Sequence, residues 1–421
     1  MNSYNHVPLY KLVITGILLW FVVFVLTPAF PTEKISFNTI LFLSGLFFFY
    51  FLGYFGFKFI RNKVLKKKLN LNFELSTKFI LSLILMVFSC WVLRYYDLLY
   101  VRGLSFYHEI DLNRNLSIMK TMNIIFIFSS VLKELYFIPL LMVLLKKERN
   151  IKLIVLSSLL FILPLGVPLL LGTRKDILLL CIYLLIILFL TKNIKLNMFF
   201  WFKIIGFFIF INVLFYYILI NRESPKYETG SDIVMELIDK PIYNDLFEPN
   251  EKIKNAIANG NEFTRPMLFQ YLHIGQYYCH GIFELNHLIN IKIYKDQPLK
   301  GQFNFQSFLL FFNKLGVTHF DLEKIDNAIP RGNVFITFFG GLFIDFGLLG
   351  IFVMLLIGGL QNYIDFSILK GNYMFYGLYV FFVVFNILLP VINLMKGTGL
   401  YFVLANMLVL IGYKFLKKEV V

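Results

Sequence analysis

From residue 199 the chain reads FFWFKIIGFFIFINVLFYYILI, and at residue 221 it changes to NRESPKYETG. The first stretch carries one charge, Lys203, and is long enough to cross a bilayer, which takes about 20 apolar residues in a helix. The second opens a polar segment that continues to Arg331. Before residue 199 the sequence is a succession of similar apolar runs, and after Arg331 the runs resume. This alternation predicts an all-α polytopic membrane protein of about ten transmembrane helices, with one large loop containing short amphipathic helices.

Composition agrees. Of 421 residues 58% are hydrophobic, and the formal net charge is +15. Soluble domains are about 45–50% apolar. In a soluble chain such a charge would point to nucleic acid. Here the basic residues sit in short links between spans, where topology accounts for them, and anionic lipid head groups are the secondary attraction. No nucleic-acid partner is expected. Cys90 and Cys181 fall in apolar runs and Cys279 in the insert, with no C-x-x-C spacing for a metal. Residues 1–10 lack a basic n-region, so the first run is expected to be a retained span.

The expected spans are Lys11–Phe30, Phe37–Ile60, Phe79–Tyr100, Thr121–Leu145, Leu153–Leu171, Ile177–Leu190, Phe199–Ile220, Val334–Leu360, Tyr373–Leu394 and Leu400–Tyr413. Seven therefore lie in residues 1–220, the loop occupies 221–332, and three spans fill 333–421. One set of links, from Arg61 to Lys418, carries seventeen Lys and Arg; the opposite set, from Lys34 to Lys396, carries seven. By the positive-inside rule both termini are then cytoplasmic and the insert faces outward. Within it, Met267–Ile293 has a helix-like apolar pattern and Phe303–Phe312 is aromatic; either can lie at the interface or re-enter the membrane.

Charged residues inside apolar runs are costly and mark sites worth explaining. Arg94 and Asp97 are one turn apart and can pair. Lys133 and Glu134 lie halfway down a span and require a polar cavity or each other. The turn Gly172-Thr173-Arg174-Lys175-Asp176 joins two spans with almost no loop. Arg174 there offers a planar fork suited to phosphate oxygens, and Lys175 adds a point charge. In the insert, Arg265 precedes Tyr271, His273, Tyr277, Tyr278 and His280, whose rings can stack on sugars or sit at the interface; His can also carry a proton. Past the insert come Arg331, Asn333 and, about three turns further, Asp345, which needs a partner such as Arg174 or Lys133, or a structural role. No nucleotide loop, H-E-x-x-H or G-x-S-x-G motif is present. No acidic pair is placed to hold a divalent metal, and neither metal nor cofactor is expected. An outward-facing activity must then use a substrate that carries its own activation.

The chain resembles the bacterial oligosaccharide repeat unit polymerases of the Wzy type, polytopic glycosyltransferases that build O-antigen and related surface polysaccharides. The resemblance rests on the number of spans, the large insert in the second half, the Gly172-Thr173-Arg174 turn, and the run from Asn333 to Thr337 leading into Phe343-Ile344-Asp345-Phe346-Gly347. It covers most of the chain in architecture and two short stretches in motif. It implies transfer of a growing glycan from undecaprenyl diphosphate to an incoming lipid-linked repeat unit, outside the inner membrane and without metal. A flippase and a chain-length regulator are the implied partners. Arg174, Lys175, Arg265 and Arg331 would then hold the diphosphate. His273, Glu262 or Glu223 would take the acceptor's proton, and the choice among them stays open. His273 and Asp345 join the two arginines as catalytic candidates; Lys133, Glu134, Tyr271, Tyr277, Tyr278, His280 and Asn333 are candidates for substrate contact. The rival readings are an O-antigen ligase, a transporter of lipid-linked oligosaccharide, and an envelope scaffold.

Overall fold

The computed structural model describes residues 6–64, 76–118, 124–146, 150–191, 242–261, 263–291, 298–306 and 334–418, with Arg331 and scattered residues of 198–238 and 309–329. Nearly all of this is helix: α1 (Leu9–Leu26), α2 (Phe37–Val64), α3 (Thr77–Tyr96), α4 (Ile110–Ile118), α5 (Ile124–Leu132), α6 (Ile138–Leu145), α7 (Ile151–Ile162), α8 (Gly166–Leu171), α9 (Arg174–Leu190), α10 (Glu251–Ala258), α11 (Thr264–Ile291), α12 (Phe338–Phe346), α13 (Ile351–Leu369), α14 (Tyr376–Leu388) and α15 (Leu400–Lys418). Seven described stretches are long and apolar enough to cross a membrane: Leu9–Leu26, Phe37–Phe59, Thr77–Val101, Phe128–Leu145, Ile151–Leu171, Phe338–Leu369 and Met395–Gly412. The protein is therefore a helical membrane protein. Two of the expected spans are shorter than this, α9 with 17 residues and α14 with 13. The span expected at Phe199–Ile220 falls mostly outside the described residues.

Several of these helices are broken, and the breaks place the polar groups. After α5 the chain tightens into a 3₁₀ turn, Lys133–Phe137, and resumes as α6 with Pro139 in its first turn, where a missing N–H costs least. The tightened turn frees the Lys133 carbonyl, which accepts a hydrogen bond from Trp91 Nε1 at 3.1 Å. Pro164 and Pro168 interrupt the next crossing in the same way, between α7 and α8, and the Tyr95 hydroxyl donates to the freed Leu163 carbonyl. At the end of α3 a π turn, Asp97–Val101, buries Asp97 between Arg94 (2.8 Å) and Arg102 (3.0 Å). The Arg94–Asp97 pair is thus made, with a third member that spacing alone did not reveal.

The crossing expected at Val334–Leu360 is a hairpin. α12 lies against α2 and runs opposite to it, with Phe339 on Phe47 and Phe343 on Phe42. At Gly347, φ +56°, the chain reverses, and Gly350 comes so close to Leu342 that a Cβ there would sit 2.9 Å from its carbonyl oxygen. α13 then descends alongside α2 in the same direction, with Ile351 near Gly45 and Gly358 against the Tyr50 backbone. Phe47 lies about 15 Å along α2 from Phe37 at 1.5 Å per residue, so the extended stretch Val334–Thr337 that feeds α12 sits within the bundle. Irregular backbone survives at that depth only when protein covers it. Here Val334, Ile336 and Thr337 are buried, Asn393 N–H donates to the Ile336 carbonyl, and Thr337 caps α12 by accepting from Gly340 N–H. Residues Val334–Thr337 are thus extended backbone held inside the bundle, in the same core as Ile282, Leu285 and Phe303.

The insert is clipped to the bundle at one end. Strand β1 (Ala29–Pro31), just past α1, pairs antiparallel with β2 (Phe247–Pro249). α11 lies across the neighbouring ends of α1 and α2. Its Asn286 side chain accepts from Ser36 N–H (2.8 Å) and the Thr39 hydroxyl (2.9 Å) and donates to the Lys34 carbonyl (3.2 Å). At the opposite end a second polar knot ties α1, α2, α13 and α14 together. Asp365 accepts from Leu9 N–H, His6 and the Tyr54 hydroxyl, while Gln361 and Asn386 bond each other and Asn386 Nδ2 donates to the Leu9 carbonyl.

Candidate functional site

On α11 the residues His273, Tyr277, His280 and Glu284 follow at intervals of four, three and four. That spacing puts them in one stripe. The stripe faces a wall made of the α9 N-terminus, the 3₁₀ turn Ile242–Asp245, Arg331 and Phe335. Arg174 Nη2 donates to His273 Nε2 at 3.2 Å, across 99 positions of sequence. Gly172 makes this possible: its φ of +61° ends α8 and turns the chain into α9 at once. Tyr243 covers the stripe, its ring 5.9 Å from His273 and 4.5 Å from His280. Tyr277 packs edge-on against Phe335 at 5.3 Å. At the far end Arg331 bridges two carboxylates, Asp245 at 3.0 Å and Glu284 at 3.1 Å. His280 turns Nδ1 toward the Gln276 and Tyr277 carbonyls, and burial holds the ring down to about 4, so it is neutral at ordinary pH.

Below Arg174 a cavity of about 180 Å³ runs between α3, the 3₁₀ turn and α9. Arg94, Lys133, Glu134, Asp176, Tyr183 and Trp91 line it. Lys133 and Glu134 form an ion pair, and the Lys133 ammonium also lies 5.1 Å from the centre of the Trp91 ring. Both expected conditions are met: the pair neutralises itself and it faces a cavity. Lys175 is half-buried at the same mouth, next to Asp176. Trp91 also borders an apolar groove on the outside of α3, lined by Phe88, Val92, Tyr95 and Leu163. Asp176, in the first turn of α9, lines this cavity, and Arg174 in the same turn meets His273 of the α11 stripe, which puts the cavity, the basic turn and the stripe in one region.

Other candidates have different work. Asp345 pairs with neither Arg174 nor Lys133. Its fully buried carboxylate accepts from Phe303 N–H (2.7 Å), Asn304 N–H (2.9 Å) and Asn304 Nδ2 (2.7 Å), and its carbonyl accepts from Lys300 N–H (2.7 Å). It latches the 299–305 turn onto α12, the structural role that the sequence left open. Replacement by Ala leaves buried donors unsatisfied at about 1–3 kcal/mol each. Asp345→Ala is expected to lower the detergent-solubilised melting temperature by more than 5 °C, and Asp345→Asn by less. Arg265 closes the last turn of α10, donating to the Ile257 (3.2 Å) and Ala258 (2.9 Å) carbonyls. It therefore holds a helix end. Arg265→Ala should cost about 1–2 kcal/mol of stability while the activity per folded molecule stays within twofold. The Tyr271 hydroxyl donates to the Leu26 carbonyl and so fastens α11 to α1, and Tyr278 packs against the cluster of Leu246, Phe247, Cys279 and Phe283. Asn333, Glu262 and Glu223 lie outside the described residues.

Sequence reasoning missed Glu284, Asp245 and Tyr243. For Glu284 the signal was present: it continues the stripe of His273, Tyr277 and His280, and it is the one carboxylate in the apolar run Ile282-Phe283-Glu284-Leu285. Asp245 and Tyr243 come from a turn whose position only the β1–β2 clip determines. No protein-family model matches the chain, and no curated protein or solved structure is similar enough to count as a relative.

Proposed function

We propose that the protein polymerises lipid-linked oligosaccharide repeat units at the outer face of a bacterial inner membrane, with ten spans, both termini in the cytoplasm and the insert outside. The observation that carries this reading is the meeting of Arg174 with His273 over a charged cavity inside the bundle. A lipid diphosphate is an amphiphile whose phosphates lie at the membrane surface and whose chain stays in the bilayer. Arg174, Lys175 and Arg331 border the surface part of this region, and the cavity and the α3 groove continue it toward lipid.

The chemistry follows from the donor. The acceptor hydroxyl oxygen attacks the anomeric carbon of the growing glycan, and the bond from that carbon to the diphosphate oxygen breaks. Its electron pair stays on undecaprenyl diphosphate. Guanidinium groups already in place stabilise the charge that develops there, with no nucleotide required. Tyr277, Tyr243 and His273 supply ring faces and polar edges for the sugars. A chain-length regulator and a flippase would be partners in the membrane.

Deletion of the gene in its own host tests the reading. Polymerase loss leaves surface lipid capped with a single repeat unit, and this is the expected result. Bare core would mean a ligase, and repeat units trapped on the cytoplasmic side would mean a transporter. Either pattern would contradict the proposal.

A further inference from the structure

Glu284 is 3% exposed and stands among charged neighbours. Arg331 Nη1 is 3.1 Å from its Oε1, and Arg331 Nη2 reaches the exposed Asp245. Oε1 lies off the line of the guanidinium N–H bonds and makes no hydrogen bond. One turn earlier His280 Nε2 is likewise buried without a hydrogen bond. From the link before α2, Glu33 faces the same region and is paired with His287 at 3.1 Å. Buried polar atoms without partners are rare and call for an explanation. Here two of them, on one face of one helix, border the guanidinium at the head of the stripe.

We propose that Glu284 is the base that takes the proton from the acceptor hydroxyl, and that Arg331 covers it until an anion draws the guanidinium away. This rests on the reading of the protein as a lipid-linked glycan transferase. The acceptor O–H bond breaks and its proton passes to Glu284 Oε1. The oxygen's electron pair forms the bond to the anomeric carbon, and the carbon–oxygen bond to the diphosphate breaks with its pair on the leaving oxygen. The proton then passes from Glu284 to water.

The other bases near the site are engaged. His273 Nε2 holds the Arg174 hydrogen bond. Asp176 accepts from the Thr173 hydroxyl at 3.0 Å and is exposed. Asp345 is filled by the 299–305 turn. Among the described residues of the α11 stripe and its wall, Glu284 combines an unbonded oxygen with a neighbouring cation; Asp97, which also has one, is held by Arg94 and Arg102 at the end of α3. Burial pushes its carboxyl up to about 7 against the pull of Arg331, with Asp245 and Glu33 adding to the push. A base that titrates near the working pH is the most effective kind.

The test uses the whole protein in liposomes with a synthetic undecaprenyl-diphosphate-linked repeat unit as donor and acceptor. Wild-type elongation should fall as pH drops below about 7. Glu284→Gln should slow elongation by roughly 100-fold or more while KM for the lipid-linked donor stays within about threefold. Glu284→Asp should keep part of the rate and move the acid limb to lower pH. Stability supplies a readout of opposite sign. The folded protein binds this proton more tightly than the unfolded chain, whose carboxyl titrates near 4.5. The stability that the protonated group contributes is therefore lost as pH rises from about 4.5 through about 7. Glu284→Gln should then melt higher than wild type at pH 8 and about the same at pH 5. Elongation by Glu284→Gln within fivefold of wild type, or an unmoved acid limb in Glu284→Asp, overturns the assignment. A wild type that binds donor and never elongates it overturns the transferase reading, and this inference with it.

Discussion

Arg174→Ala is expected to lower chain elongation roughly 100- to 1,000-fold, the usual cost of losing one preorganised donor at a developing negative charge, with membrane levels unchanged. The argument begins at Gly172, whose left-handed backbone lets α9 start immediately and puts Arg174 in its first turn. The side chain then spans from the bundle to His273 on the insert. Its loss removes a cation from the mouth of the cavity and a tether between two parts of the molecule at once. Arg174→Lys tests which matters more. A lysine keeps the charge and loses the planar fork that grips two oxygens, so partial activity, about tenfold down, is expected. The pattern of glycan lengths on a gel reports both. Long chains from Arg174→Ala would remove this residue from the site.

Gly358→Leu is expected to prevent accumulation of folded protein. α2 and α13 run side by side with their backbones almost touching: a Cβ on Gly358 would overlap the Tyr50 carbonyl, and one on Gly53 the Leu355 carbonyl. Small residues at such crossings let helices approach where no hydrophobic force drives them together in lipid. Overpacking a core costs about 1–3 kcal/mol when side chains can move. Here the obstacle is main chain on a neighbouring helix, so the cost exceeds that range. Separating α2 from α13 would also strain the Tyr54–Asp365 and Tyr50–Gln361 hydrogen bonds that close the opposite end. Size-exclusion chromatography of the detergent-solubilised protein should show aggregate in place of the wild-type peak. A normal peak with a normal melting temperature would contradict the close crossing.

The membrane class was legible because apolar run length needs only composition and the thickness of a bilayer. The Gly172 turn, the Lys133–Glu134 pair and the Arg94–Asp97 pair were legible because each is local in sequence. The hairpin at Gly347 was not, since Val334–Leu360 is apolar on both sides of the turn and hydropathy cannot tell a reversal from a straight crossing. The role of Asp345 was hidden for a related reason. Its partners, Phe303 and Asn304, lie 42 and 41 positions away and bind it mainly through backbone N–H groups, which carry no side-chain signature. Arg174 and His273 were each singled out by residue type and neighbourhood, but their contact depends on how β1 and β2 clip the insert across α1. Glu284 could have been found by extending the helical stripe of His273 and His280 one more turn.

The most direct test of the central claim is elongation by the purified protein alone. Reconstituted in liposomes with an undecaprenyl-diphosphate-linked repeat unit, and with no ion gradient, no nucleotide and no second protein, it should build a ladder of lipid-linked glycans and release undecaprenyl diphosphate in equal number to the bonds formed. Lipid-linked repeat unit that is moved across the bilayer, or bound, with no ladder and no diphosphate released would contradict it.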